Sequence, residues 1–98
     1  MWELDYPENV SHLVELFYSD HCLSCPEARD LLHRLAAEHA ELVIIERNID
    51  DDAAYALAGE YHLIATPALV IDRRDVMYGV PAAAKVAARI AARRPVLD

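Results

Sequence analysis

The stretch FYSDHCLSCPEARDLL, residues 17–32, decides the reading of this chain. It holds both cysteines, Cys22 and Cys25, two residues apart at the junction of an apolar run and a helical pattern. Upstream, HLVELFYS (12–19) is a short apolar segment with Val, Phe and Tyr, the composition of a buried strand. Downstream, Ala28, Leu31, Leu32, Leu35, Ala36 and His39 recur at helical spacing, while Arg29, Asp30, Arg34 and Glu38 fall outside that stripe. The spacing predicts a helix from Cys22 to about residue 40.

The same alternation continues to the C-terminus. ELVIIERNI (41–49) is a second strand. Asp50 and the two acids after it can cap a second helix over about 51–62, with Ala54, Leu57, Ala58 and Tyr61 turned inward. ALVID (68–72) is a third strand, Arg73, Arg74 and Asp75 form a turn, and VMYGV (76–80) returns as a fourth, antiparallel strand. Pro81 opens a last helix over 81–94, because proline is tolerated in a first turn. Val86 and Ile90 anchor that helix, and Arg89, Arg93 and Arg94 suit its negative C-terminal end. The order β-α-β-α-β-β-α implies an α/β fold. A right-handed crossover joins two parallel strands, a hairpin follows, and the result is a mixed four-stranded sheet with helices on both faces.

Composition bounds the rest. The 98 residues form one domain, 1–98, with a core over about 12–92, and 55% of residues are hydrophobic, enough for a core without staples. The net charge of −8 and a pI of about 4.9 repel phosphate backbones, so no nucleic acid is expected as a partner. No run approaches the roughly 20 apolar residues of a membrane span. The acidic start, MWELDYPENV, lacks the pattern of a secretory signal. The expectation is a cytoplasmic protein without membrane attachment, in a compartment where structural disulfides are rare.

Three readings compete for the cysteine pair: an inert reduced pair, a metal or Fe–S ligand set, and a redox centre. A bridge three residues long constrains the unfolded chain little, so a purely structural role has little to recommend it. A tetrahedral metal needs four ligands, and one chain offers two thiols and at best His21. On a helix beginning at Cys22 the two side chains would be neighbours, within reach of disulfide geometry. The unsatisfied N–H groups of the first turn would favour the Cys22 thiolate, lowering its pKa below that of free cysteine. Asp20 and Glu27 oppose that effect, and a charged His21 would favour it. Cys22 is then the nucleophile and Cys25 the resolving thiol. His12, His33 and His62 read as surface residues, His39 as a residue at the core edge, and Tyr18 and Tyr61 as packing residues.

The chain resembles the thioredoxin/glutaredoxin superfamily over about residues 12–92. FYSDHCLSC is similar to the thioredoxin pattern F-W-A-x-W-C-G-P-C. NIDDDAAYALAGEYHLIATPALVI (48–71) is similar to its N-I-D to P-T-L segment. YGVPAAAKVAARI (78–90) is similar to the last-helix region of archaeal-type glutaredoxin-like proteins. The resemblance implies a thioredoxin-like fold and a thiol–disulfide oxidoreductase that needs no cofactor. Its substrates would be disulfide-containing proteins or small molecules, and a reductase or thiol pool would supply electrons. It implies that Pro67 is a cis-proline facing the sulfurs. Ala65 and Thr66 would then offer free backbone to a substrate, with His21, Leu23, Ser24 and Gly79 at the rim. A metal module built on Cys22 and Cys25, or a redox-inactive adaptor, are the alternatives. The chain also departs from the pattern. Leu16 stands where thioredoxins bury an aspartate, and Glu46 stands where they often carry a lysine. Glu46 or water is left to accept the proton of Cys25. The Gly-Gly-Asp segment with which glutaredoxins grip glutathione is missing.

Overall fold

The computed structural model describes residues 12–92. Its elements run β1 (His12–Tyr18), α1 (Cys25–Glu38), β2 (Leu42–Asn48), α2 (Asp52–Glu60), β3 (Ala68–Ile71), β4 (Asp75–Tyr78) and α3 (Ala83–Ala91). The sheet order is β2-β1-β3-β4. β1 pairs in parallel with β2, from His12↔Leu42 to Tyr18↔Asn48. It pairs antiparallel with β3, from Val14↔Ile71 to Phe17↔Ala68. β4 closes the sheet antiparallel to β3. The expected mixed four-stranded sheet is therefore present. Among the described residues no helix is long and apolar enough to cross a membrane.

Strand alternation divides the interior in two. Val14, Leu16, Leu69 and Ile71 point to one face and pack with Ala28, Leu32 and Leu35 of α1 and Val86 and Ile90 of α3. Phe17, Ala68 and Val70 point to the other, where Leu57 and Ala58 of α2 cover them together with Tyr61 and Leu63. Because both faces of β1 and β3 are covered, these strands read as continuous apolar runs. α2 has no fully buried residue, so its hold on the sheet rests on these half-buried contacts.

Several helix and strand ends differ from the sequence expectation. α2 stops at Glu60, where Tyr61 caps it and His62 takes a positive φ of 59°. α3 begins at Ala83, two residues after Pro81. Arg89 near its end pairs with Asp75. Arg93 and Arg94 lie outside the described residues. β3 ends at Ile71, because Asp72 and Arg73 turn the chain at φ of 52° and 64°.

That turn explains why His12 is not a surface residue. Aspartate is among the few non-glycine residues that visit the left-handed conformation, and the carboxylate of Asp72 is anchored to the start of β1. Its Oδ1 accepts the Leu13 N–H at 2.9 Å, and its Oδ2 lies 2.8 Å from His12 Nδ1. Both side chains are buried. The first residue of the central strand thus meets a hairpin turn 60 residues away.

The α2 side also buries a carboxylate. Glu15 is fully buried. Its Oε2 accepts from Arg47 Nε at 2.7 Å, and its Oε1 accepts from the Tyr61 hydroxyl at 2.8 Å. Tyr61 also meets Phe17 edge to face, with centroids 5.9 Å apart. Tyr61 is thus a hydrogen-bond donor to a buried charge as well as a packing residue. Its pKa is raised by burial first, then by its bond to Glu15 and the charge of that carboxylate.

Replacing Tyr61 by Phe removes that donor, and denaturant unfolding at neutral pH should register a loss of about 1–3 kcal/mol. The raised pKa means the folded state favours the neutral phenol. This contribution is complete below the ordinary tyrosine value of about 10 and fades as pH rises through the higher folded value. The stability gap between wild type and Tyr61→Phe should therefore narrow in alkali.

Candidate functional site

β1 leaves the sheet at Tyr18, and the chain turns at once. The Cys22 N–H donates to the Ser19 carbonyl at 3.2 Å, and the His21 N–H to Ser19 Oγ at 3.2 Å. The turn is moored to the end of β2. Asn48 Nδ2 donates to Asp20 Oδ1 at 3.0 Å, the Asp20 N–H donates to Asp50 Oδ2 at 3.0 Å, and the Asp50 N–H donates to Asn48 Oδ1 at 2.9 Å. The Ile49 N–H reaches the Tyr18 carbonyl at 2.8 Å. Asn48, Asp20 and Asp50 therefore hold the loop that carries Cys22. Asp50 and Asp51 do not cap α2 with their side chains, since Asp51 is its N-cap without a side-chain bond.

Cys22 and Cys25 are joined in a disulfide, with Cα atoms 5.4 Å apart. Cys22 lies before α1, not in its first turn. The helix begins at Cys25, with Ser24 as N-cap and Pro26 in the first turn. Pro26 is four residues after Cys22, so it has no N–H to give the Cys22 carbonyl, and its ring would clash with that oxygen. This barrier was readable in the sequence. The bridge nevertheless carries the Cys22 sulfur to the helix terminus through Cys25. Ser24 makes no side-chain cap. Its hydroxyl lies 3.9 Å from Cys22 Sγ instead. Cys25 is only 2% exposed, whereas Cys22 is half-buried.

The remaining predicted site residues collect at the same end of the sheet. Ala68 pairs with Phe17, so Pro67 leaves β3 beside the point where β1 ends. Pro67 is buried, and the Thr66–Pro67 peptide is cis. Its carbonyl accepts the Gly79 N–H at 2.9 Å. Gly79 has φ of 77°, and a Cβ there would meet nothing within 4 Å, so conformation and not space favours glycine. Among the described residues, neither Ala65 nor Thr66 bonds its backbone N–H or C=O to another group. Ala65 and His21 are exposed, Ser24 and Thr66 half-buried, and Leu23 is 99% exposed.

Both carboxylate oxygens of Glu46 are engaged by side chains of α1. His33 Nε2 lies 2.7 Å from its Oε2. Arg29 Nε lies 2.9 Å from Oε1 as an ion pair without hydrogen-bond alignment. Arg29 also covers the Tyr18 ring at 4.7 Å, a contact the sequence did not signal. Leu16 packs on the α1 side, while the buried carboxylate beside it, Glu15, faces α2. Among the described residues no three His, Cys, Asp or Glu side chains are gathered for a metal ion.

No protein-family model and no curated protein matches the chain. Solved structures do. The germline-specific thioredoxin Deadhead of Drosophila melanogaster is 22% identical with a TM-score of 0.71, the match covering 85% of this chain and 81% of that one. A variant thioredoxin from Halobacterium salinarum is 23% identical with a TM-score of 0.70, covering 92% and 81%. A thioredoxin-2 described as a component of malaria parasite protein secretion machinery is 12% identical with a TM-score of 0.72, covering 85% and 84%. The chain has a thioredoxin-like fold with a Cys-x-x-Cys pair at the end of β1.

The difference in burial predicts unequal reactivity once the bridge is reduced. Brief treatment with iodoacetamide, read by peptide mass spectrometry, should label Cys22 well ahead of Cys25.

Proposed function

We propose that this protein is a thiol–disulfide oxidoreductase in which Cys22 attacks and Cys25 resolves. The observation that carries the reading is the bridge between a half-exposed Cys22 and a buried Cys25 at the first residue of α1. A thiolate there is favoured by the uncapped N–H groups of the helix terminus. A bridge this short adds little to stability, so its purpose is chemistry.

In the reduced protein the Cys22 thiolate attacks one sulfur of a substrate disulfide. A Cys22–substrate S–S bond forms, the substrate bond breaks, and the first substrate thiolate leaves and takes a proton. Cys25 then gives up its proton and attacks the Cys22 sulfur. The Cys22–Cys25 bond forms and the second substrate thiol departs. Two electrons and two protons pass from the protein to the substrate. A dithiol donor, a reductase or a thiol pool, returns them in the reverse sequence. With Glu46 held by His33 and Arg29, water is the acceptor we assign for the Cys25 proton.

Substrate would lie along Ala65 and Thr66, whose backbone groups have no partner among the described residues. An extended segment can add to them as a strand adds to a sheet edge. Pro67, Gly79, His21, Leu23 and Ser24 would border it. The reading puts the protein in the cytoplasm, with disulfide-containing proteins or small molecules as substrates, and takes neither nucleic acid nor membrane as a partner.

Insulin or small-disulfide reduction with dithiothreitol as donor tests the reading. Cys22→Ser should abolish turnover. Cys25→Ser should keep the first step and accumulate a mixed disulfide visible by mass. The iodoacetamide rate of Cys22 against pH should have its midpoint below that of free cysteine. A midpoint at the free value with no turnover would defeat the proposal, and stoichiometric metal by elemental analysis would favour the metal module.

A further inference from the structure

Beside Ala65 and Thr66 lies a cleft of about 370 Å³. Phe17, Ile49, Leu63 and Thr66 form part of its lining, with Tyr55 and Ile64. The walls come from β1, the end of β2, α2 and the segment before Pro67. Its apolar lining extends outward into solvent, for Ile64 is 86% and Tyr55 69% exposed. A single exposed apolar residue is ordinary, but two at an apolar cleft form a recognition surface. The cleft also adjoins the unpaired backbone of residues 65 and 66. A segment paired there alternates its side chains, and one side chain in two can drop into the cleft.

Charge selects the occupant. From residue 19 to 28 and from 48 to 67 there is no lysine or arginine, while Asp20, Glu27, Asp50, Asp51, Asp52 and Glu60 lie in those spans. The nearest guanidiniums in sequence are committed elsewhere, Arg29 to Tyr18 and Glu46 and Arg47 to Glu15. Asp51 and Asp52 are exposed and stand at the start of the helix that walls the cleft. A cationic segment is drawn to this end of the molecule and an anionic one is repelled.

We propose that the cleft binds an aliphatic or aromatic side chain of a basic polypeptide. On the oxidoreductase reading, on which this assignment of substrate rests, that polypeptide carries the disulfide attacked by Cys22. A small anionic disulfide such as glutathione disulfide offers neither the apolar side chain nor the charge.

The test uses three disulfide-linked peptides of one length: one with Leu and two Lys beside the cysteine, one with Ala for Leu, one with Glu for Lys. Burying the leucine should raise kcat/KM about tenfold or more over the alanine peptide. The lysine peptide should outrun the glutamate peptide, with a margin that shrinks as salt is raised. Gly59 lines the cleft, and a Cβ there would meet nothing within 4 Å, so Gly59→Leu can fill the space without crowding the fold and with better helix propensity. It should collapse the leucine-to-alanine ratio. Asp51→Asn with Asp52→Asn should reduce the lysine-to-glutamate ratio.

Two controls separate this proposal from the reading beneath it. Reduction of bis(2-hydroxyethyl) disulfide reads the chemistry without the cleft. Fluorescence anisotropy of the leucine peptide with serine for cysteine reads the cleft without the chemistry. If the small disulfide is reduced but the three peptides react alike, the cleft proposal falls and the oxidoreductase reading stands. If no disulfide is reduced, the oxidoreductase reading and its substrate assignment fall. Binding of the serine peptide, weakened by Gly59→Leu, then still supports the cleft, and no binding overturns it.

Discussion

The structure depends on one constraint: β1 is enclosed from every direction. It pairs with β2 on one edge and β3 on the other, and helices cover both its faces. Val14, Leu16 and Phe17 are fully buried. A strand so enclosed has one register that buries its apolar side chains, since a slip of one residue would exchange its two faces. Its end at Tyr18 is therefore well placed, and Cys22 follows four residues later.

The loop that bridges those four residues is short of core contacts, and polar groups hold it instead. Asn48, Asp20 and Asp50 form a closed set of hydrogen bonds between the ends of two parallel strands. Pro26 sets the other boundary by excluding the Cys22 carbonyl from the helix. Between these limits Leu23 stands in solvent, Cys22 remains accessible, and Cys25 is anchored in the interior. One sulfur open to solvent and one shielded from it arise from where the helix is allowed to start.

The α2 side follows different rules. Its helix buries no residue completely, and beneath it lies a charged carboxylate. Removing one partner of such a group costs more than the bond itself is worth, because the charge stays buried. Glu15, Arg47 and Tyr61 thus tie β1, β2 and the end of α2 together with specific geometry. Apolar contacts among half-buried side chains would not fix the helix so narrowly. The same loosely covered face leaves the cleft beside Ala65 and Thr66.

The element order, the two faces of α1, the anchors Val86 and Ile90 and the adjacency of Cys22 and Cys25 were all legible in the sequence, because each depends on residues two to four positions apart. The start of α1 was legible too, in the spacing from Cys22 to Pro26, although helical periodicity alone pointed earlier. What the tertiary structure decided were the meetings of distant residues: Glu15 with Arg47 and Tyr61, 32 and 46 positions away, and His12 with Asp72, 60 positions away. Periodicity reports which way a side chain faces and not what waits for it there. Only strand register brings a polar residue inside an apolar run opposite its partner, and only the shared end of the sheet gathers residues 22, 50, 65 and 79 onto one surface.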